Sequence, residues 1–229
     1  MSNKSTKVVS MSIGVALATG LYGISFGALS IAAGLDIWQT QLLSLLMFSG
    51  GSQFAFVGVI ATGGVSAYGA AIASAWLLGV RNGFYAIRMA PVLNVHASLR
   101  LFAAQITIDE STAVSTLQPD NKSSKLGFYL TGIAVFVFWN LATLLGSIIG
   151  QAIGDPRDWG LDAAAAAAFL GLVWPRLKDN QTMLVAFAAC GMATLLAPVL
   201  PVGAPVLVAG VSALVVGGFN ILGGKGRTS

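Results

Sequence analysis

Four stretches of this chain carry no acidic or basic side chain: Val8–Leu35 with 28 residues, Ile37–Val80 with 44, Leu126–Gly154 with 29 and Asn180–Gly224 with 45. A helix crosses the hydrocarbon core of a bilayer with about 20 apolar residues, so each of the two longest stretches holds roughly two crossings. Ala163–Pro175 is shorter, but Asp162 and Arg176 at its ends can snorkel outward and let it cross. The ten-residue alternation of a membrane barrel is absent. Only 9% of the residues are charged and 56% are apolar, whereas a soluble domain is about 25% charged. That excludes a soluble enzyme and a disordered chain. The expected fold is all-α: a polytopic integral membrane protein of about seven or eight transmembrane helices, some broken, forming one transmembrane domain over residues 1–229.

The first stretch begins after Lys4 and Lys7 and contains Ala16-Leu17-Ala18, as a signal peptide does, but it runs on to Leu35. A signal-peptide core is about 7–15 residues, so this is read as the first membrane helix. Basic residues favour the cytoplasmic side. Lys4, Lys7, Lys122, Lys125, Arg176, Lys178, Lys225 and Arg227 all fall on one side if Pro91–Ser115 also crosses. Asp36 and the acidic Gly154–Asp162 loop then lie outside, with both termini cytoplasmic and eight passes. Seven passes is the alternative, because Pro91–Ser115 is weakly apolar and carries His96 and Arg100. Thr62-Gly63-Gly64 splits the second stretch, and Pro198, Pro201 and Pro205 split the last. Gly34-Leu35-Asp36 and Gly160-Leu161-Asp162 hint at an internal duplication.

Polar groups inside the apolar stretches are the candidates for function. Ser49-Gly50-Gly51-Ser52-Gln53 interrupts a run where regular helix is expected, and each glycine costs about 1 kcal/mol in a helix interior. Discontinuous membrane helices expose N-terminal N–H groups that bind anionic substrate groups. The alternative is close packing on small residues, with Gln53 bonded to a neighbouring helix. Arg81, Tyr85 and Arg88 share one helix face, and an arginine at membrane depth needs a polar cavity or a partner. Arg81, beside Asn82, is the candidate functional charge, and Arg88, near Pro91, an interfacial anchor. Asp109-Glu110 is read as a proton relay or as the ion-pair partner of Arg81 or Arg100. Thr107-x-x-Glu110 also fits a capping box. Gly23-x-x-x-Gly27 and the stripe Gly146, Gly150, Gly154 read as packing seams, and Asn140 as a buried packing group.

No metalloprotease, phosphate-loop or serine-hydrolase motif is present, so neither catalytic residues nor a cofactor are expected, and any transport is secondary. Single residues His96 and Cys190 argue against a histidine-rich metal site and an intrachain disulfide, and the thin net charge of +4 against nucleic acid.

Ser25-Phe-Gly27, Phe48-Ser-Gly-Gly-Ser-Gln-Phe54, Arg81-Asn-x-x-Tyr85 leading to Ala90-Pro91, and Thr107-x-Asp-Glu110, in this order, resemble the AzlC family. Asp155-Pro-x-x-Trp-Gly-Leu-Asp162, Ala168-Phe169 and Pro175 continue the likeness. The resemblance implies the large permease subunit of a branched-chain amino-acid exporter. It would work in the cell membrane with a small AzlD-type membrane subunit and move valine, leucine or isoleucine. It departs where Gly79-Val-Arg81-Asn82 replaces the Asn-Leu-Arg-His of many relatives, and where an alanine run replaces a proline after Gly160-Leu-Asp162. The expected substrate-binding set is Ser49, Gly50, Gly51, Ser52, Gln53, Arg81, Asn82 and Tyr85, with Asp109 and Glu110 for proton coupling or an ion pair. A structural or regulatory membrane subunit, an intramembrane enzyme, and a permease for another small amphipathic solute are the alternatives.

Overall fold

The computed structural model describes residues 3–153, 170, 174, 177–178, 180–200 and 204–219. Among them every regular element is helical: α1 (Asn3–Ala32), α2 (Ile37–Leu46), α3 (Gly51–Gly63), α4 (Tyr68–Leu93), α5 (Arg100–Gln105), α6 (Asp109–Thr116), α7 (Asn121–Ala152), α8 (Asn180–Leu196) and α9 (Ala204–Phe219). Single tight turns, Gly64–Ala67 and Ala97–Leu99, precede α4 and α5. Three helical stretches, Ser5–Ala32, Gly51–Leu93 and Asn121–Ala152, are long and apolar enough to cross a membrane. The alanine run, the 154–162 loop and the second Gly-Leu-Asp lie outside the described residues.

Local chemistry sets the helix ends. Gly34 terminates α1 with φ +91°, and Asp36 then caps α2, its carboxylate accepting from Gln39 N–H at 2.7 Å while Gln39 Oε1 accepts from Asp36 N–H at 3.0 Å. Asp120 caps α7 in the same way through Ser123 N–H, 2.9 Å away. Gly63-Gly64 and the proline-rich segment divide the long stretches where expected, α3 ending at Gly63, α8 at Leu196 and α9 starting at Ala204. Pro91 does not end its helix. It sits in the last turn of α4, where it removes a single backbone donor, and left-handed Asn94 closes the helix through its N–H to Ala90 O.

The backbone of the molecule is the α1–α7 pair. Val8 meets Gly127, Ser12 Oγ meets Thr131 Oγ1 at 2.9 Å, and Gly23, Gly27 and Ile31 meet Ala142, Gly146 and Gly150. Each partner lies 119 positions further along, so the helices run parallel in a fixed register. Gly23 and Gly27 of one stripe and Gly146 and Gly150 of the other are therefore two sides of one seam, while Gly154 lies outside the described residues. A Cβ on Gly27 would strike the Thr143 carbonyl, and one on Gly146 the Ile24 carbonyl. Without glycine the backbones could not approach this closely.

The 91–115 segment is not one helix: Pro91–Leu93 belongs to α4, and the remainder is broken into α5 and α6 by Ile106–Ile108. At 1.5 Å per residue these two helices are only about 9 and 12 Å long.

Phe26 of α1, Phe54 of α3 and Trp139 of α7 form the centre of the core, with ring centroids 5.6 Å (Phe26–Phe54) and 6.0 Å (Phe26–Trp139) apart. The indole edge of Trp139 also lies 3.9 Å from where a Gly50 side chain would begin. The rigid seam thereby backs the gap between α2 and α3.

Candidate functional site

Residues Met47–Gly50 leave helical geometry between α2 and α3, and Ile106–Ile108 do so between α5 and α6. Both gaps are built in the same way. Gly50 takes φ +51°, ψ −83°, a conformation that glycine alone adopts without strain, and starts α3. The side chain three residues on turns back to hold it: Gln53 Oε1 accepts from Gly50 N–H at 3.1 Å. At the second gap Ser111 Oγ accepts from Ile108 N–H at 3.1 Å and donates to Ile106 O at 2.7 Å. The capping box expected from Thr107 to Glu110 does not form. Thr107 Oγ1 instead donates to Ala103 O, 2.7 Å away, and the return bond comes from Ser111.

The end of α2 is equally well satisfied. Its exposed carbonyls need donors that lipid cannot supply. Gln105 Nε2 donates to Leu45 O at 2.8 Å, and Gln53 Nε2 to Leu43 O at 3.5 Å. Gln53 has no exposed surface. Both ends of its amide hold the gap together.

Arg81 joins the two gaps. It lies near the middle of α4, not beyond its end, and reaches out with both terminal nitrogens. Nη2 donates to Ser49 O at 3.1 Å, and Nη1 pairs with Asp109 Oδ2 at 3.1 Å. Of the two partners considered for Asp109, the structure selects Arg81, and Arg100 stands exposed elsewhere. A Cβ on Gly51 would lie 3.0 Å from Nη2, so this glycine leaves room for the guanidinium. Asn82 Nδ2 donates to Ser49 Oγ at 3.3 Å, and Ser49 and Ser52 hydroxyls are 3.1 Å apart. Ser49 is therefore held from both sides, its carbonyl by Arg81 and its hydroxyl by Asn82 and Ser52.

A groove of about 790 Å³ opens on the Asn82 side of Ser49, within the range of small-molecule sites. Ser49, Ser52, Asn82 and Gln105 supply its polar atoms, while Phe56, Trp76 and Leu101 are among its apolar walls. Arg81 and Asp109 lie beyond this lining. Tyr85 is half-buried one turn on from Arg81, outside the groove, and Arg88 is exposed. Glu110 turns to α1, where Thr19 Oγ1 donates to its Oε1 at 3.4 Å. Asn140 donates to Phe136 O at 2.8 Å and its carbonyl accepts from Gln41 at 3.2 Å, as a packing group does.

Gln105 and Ser111 are the site residues that sequence reasoning missed. The signal was a glutamine and a serine inside the weakly apolar 91–115 segment, on either side of Thr107.

No solved structure matches this chain. An uncharacterized membrane protein of Archaeoglobus fulgidus is 30% identical over 159 residues, which cover 69% of this chain and 68% of the relative. The family model described as AzlC protein matches residues 14–153, a stretch that holds both gaps, Arg81 and the glycine contacts of the α1–α7 seam from Gly23 onward. The chain is a membrane protein of the AzlC family.

Proposed function

We propose that this chain is the permease subunit of a secondary exporter of branched-chain amino acids in the cell membrane. The observation that carries this reading is Arg81, which binds two helix interruptions at once beside an amphipathic groove. A half-buried ion pair at a pair of broken helices is the form that transport sites commonly take, since the gaps free backbone groups for a substrate. The N-terminal amides of α3 would meet the substrate carboxylate, and the Phe56, Trp76 and Leu101 walls an aliphatic side chain. Ser49, Ser52 and Asn82 line the groove; Gly50, Gly51 and Gln53 shape the gap.

Cytoplasmic termini and eight passes are supported by the placement of the basic residues and by the parallel α1–α7 course, which needs an odd number of crossings between the two helices. A small AzlD-type subunit completes the transporter. Export is coupled to protons through Asp109 and Glu110, two carboxylates set at the start of α6. Efflux of labelled valine from proteoliposomes tests the reading. Valine should leave faster with the chain and its small partner than with either alone, and collapse of the proton gradient should abolish uphill movement. Equal flux from empty vesicles would remove the proposal.

A further inference from the structure

We propose that Glu110 carries the transported proton, and that one proton, with its positive charge, enters for each amino acid exported. The inference rests on the proton-coupled export proposed above and adds the carrier and the stoichiometry. Asp109 and Glu110 are consecutive in the first turn of α6, yet they turn to different helices. Asp109 Oδ2 pairs with Arg81 of α4 at 3.1 Å, whereas Glu110 Oε1 accepts from Thr19 Oγ1 of α1 at 3.4 Å. Thr19 lies near the middle of the Ser5–Ala32 span, which places Glu110, half-buried, near the depth of the bilayer centre. Ionisable groups held at that depth mark proton pathways.

The other acidic residues among those described have different tasks. Asp36 and Asp120 cap α2 and α7, and Asp109 is held by Arg81. No lysine or arginine among the described residues lies within ion-pair distance of Glu110. Around it stand Asp109 alongside, Arg81 on α4, and Thr19 on α1, with Tyr22 one turn further and exposed. α7 carries no charged residue after Lys125, and its Tyr129 stacks on Phe102.

The step moves H⁺ alone. The Glu110 carboxylate takes a proton from the water on one side of the membrane and returns it to the other, so only its O–H bond forms and breaks. Thr19 serves both forms, because a hydroxyl donates to a carboxylate and accepts from a carboxylic acid. Arg81 and Asp109 cancel each other's charge throughout. A branched-chain amino acid is a zwitterion without net charge, so the proton's charge crosses uncompensated and export is electrogenic.

The test uses the full chain with its small partner in proteoliposomes, with L-valine as the probe. With the membrane potential held at zero, a difference of one pH unit should sustain a valine gradient of about tenfold, the ratio that one proton per valine sets. At equal pH, a potassium diffusion potential alone should drive valine uphill. A gradient of about a hundredfold, which needs two protons, overturns the proposal, and so does a potential that moves no valine. Read as the ratio of gradient-driven movement to valine–valine exchange, coupling should be lost in Glu110→Gln and retained in Asp109→Asn. Retained coupling in Glu110→Gln overturns the proposal. If that variant fails to assemble, Thr19→Val decides: it should shift the pH midpoint of efflux by about 0.4–1 unit, the equivalent of one hydrogen bond, and an unmoved midpoint overturns the proposal. If wild-type vesicles exchange valine but neither gradient drives it, the proton carrier fails and the valine permease stands. If they exchange no valine, both fail.

Discussion

Arg81 and Ser49 are 32 positions apart in sequence, and the arginine's Nη2 donates to the serine's carbonyl oxygen across 3.1 Å. The other terminal nitrogen holds Asp109 at the same distance. Only a planar fork serves both acceptors in fixed directions; an ammonium is a single point of charge. Arg81→Lys should therefore lose one of the two bonds while keeping its charge. A charge-assisted hydrogen bond contributes about 1.5–3 kcal/mol, so valine efflux should fall roughly ten- to hundredfold. Efflux measured at matched membrane abundance checks this, and an unimpaired Arg81→Lys would show that positive charge alone suffices.

The two glycines of the first gap should respond differently. Alanine at Gly50 must adopt φ +51°, ψ −83°, which costs of order 1–3 kcal/mol, so Gly50→Ala should lower thermal stability. Alanine at Gly51 meets only the mobile end of Arg81, 3.0 Å away. Gly51→Ala should keep its melting temperature within a degree or two and yet lose transport several-fold, because the guanidinium must shift. Melting curves and efflux on the same preparations separate the two effects.

Gln53→Leu removes the acceptor for Gly50 N–H and the donor to Leu43 O. A buried polar group left unpaired costs about 1–3 kcal/mol, so this variant should unfold at lower temperature in detergent as well as transport less. A stable Gln53→Leu with weakened substrate affinity would instead mark the side chain as a ligand.

The first gap was legible because two glycines and three polar residues interrupt an otherwise apolar run, and Arg81 was legible because charge is scarce there. The second gap was not. Ile106-Thr107-Ile108 contains no glycine or proline, and the chain leaves the helix because Ser111 and Thr107 capture backbone groups within five residues, local bonds that serine and threonine make in helices and turns alike. For the same reason Gln53 read as a possible ligand, although it returns to its own N-cap. The glycine stripes were visible as seams, but pairing Gly27 with Gly146 requires knowing that α1 and α7 run parallel.

That pairing gives its own prediction. Gly27→Ala and Gly146→Ala place a methyl group against opposing backbone carbonyls, and such overpacking costs at least about 1–3 kcal/mol. Both variants should lower the detergent melting temperature and the yield of assembled protein. Gly14, with nothing within 4 Å of its missing side chain, is the control. Equal stability in all three variants would show that the helices are not in contact at this register.

The central claim, that solute passes through the groove beside the Arg81-clamped gap, is most directly tested by substrate protection. Gly83 lines the groove and has open space where a side chain would begin. Gly83→Cys in a Cys190→Ser background therefore places a single thiol there, since Cys190 is the native cysteine. Labelling by N-ethylmaleimide is followed in transport-competent vesicles with and without saturating L-valine. The account predicts that valine slows labelling at least several-fold, with a half-effect at the concentration that half-saturates transport. A labelling rate unchanged by valine, in vesicles that still transport it, would place the pathway elsewhere in the molecule.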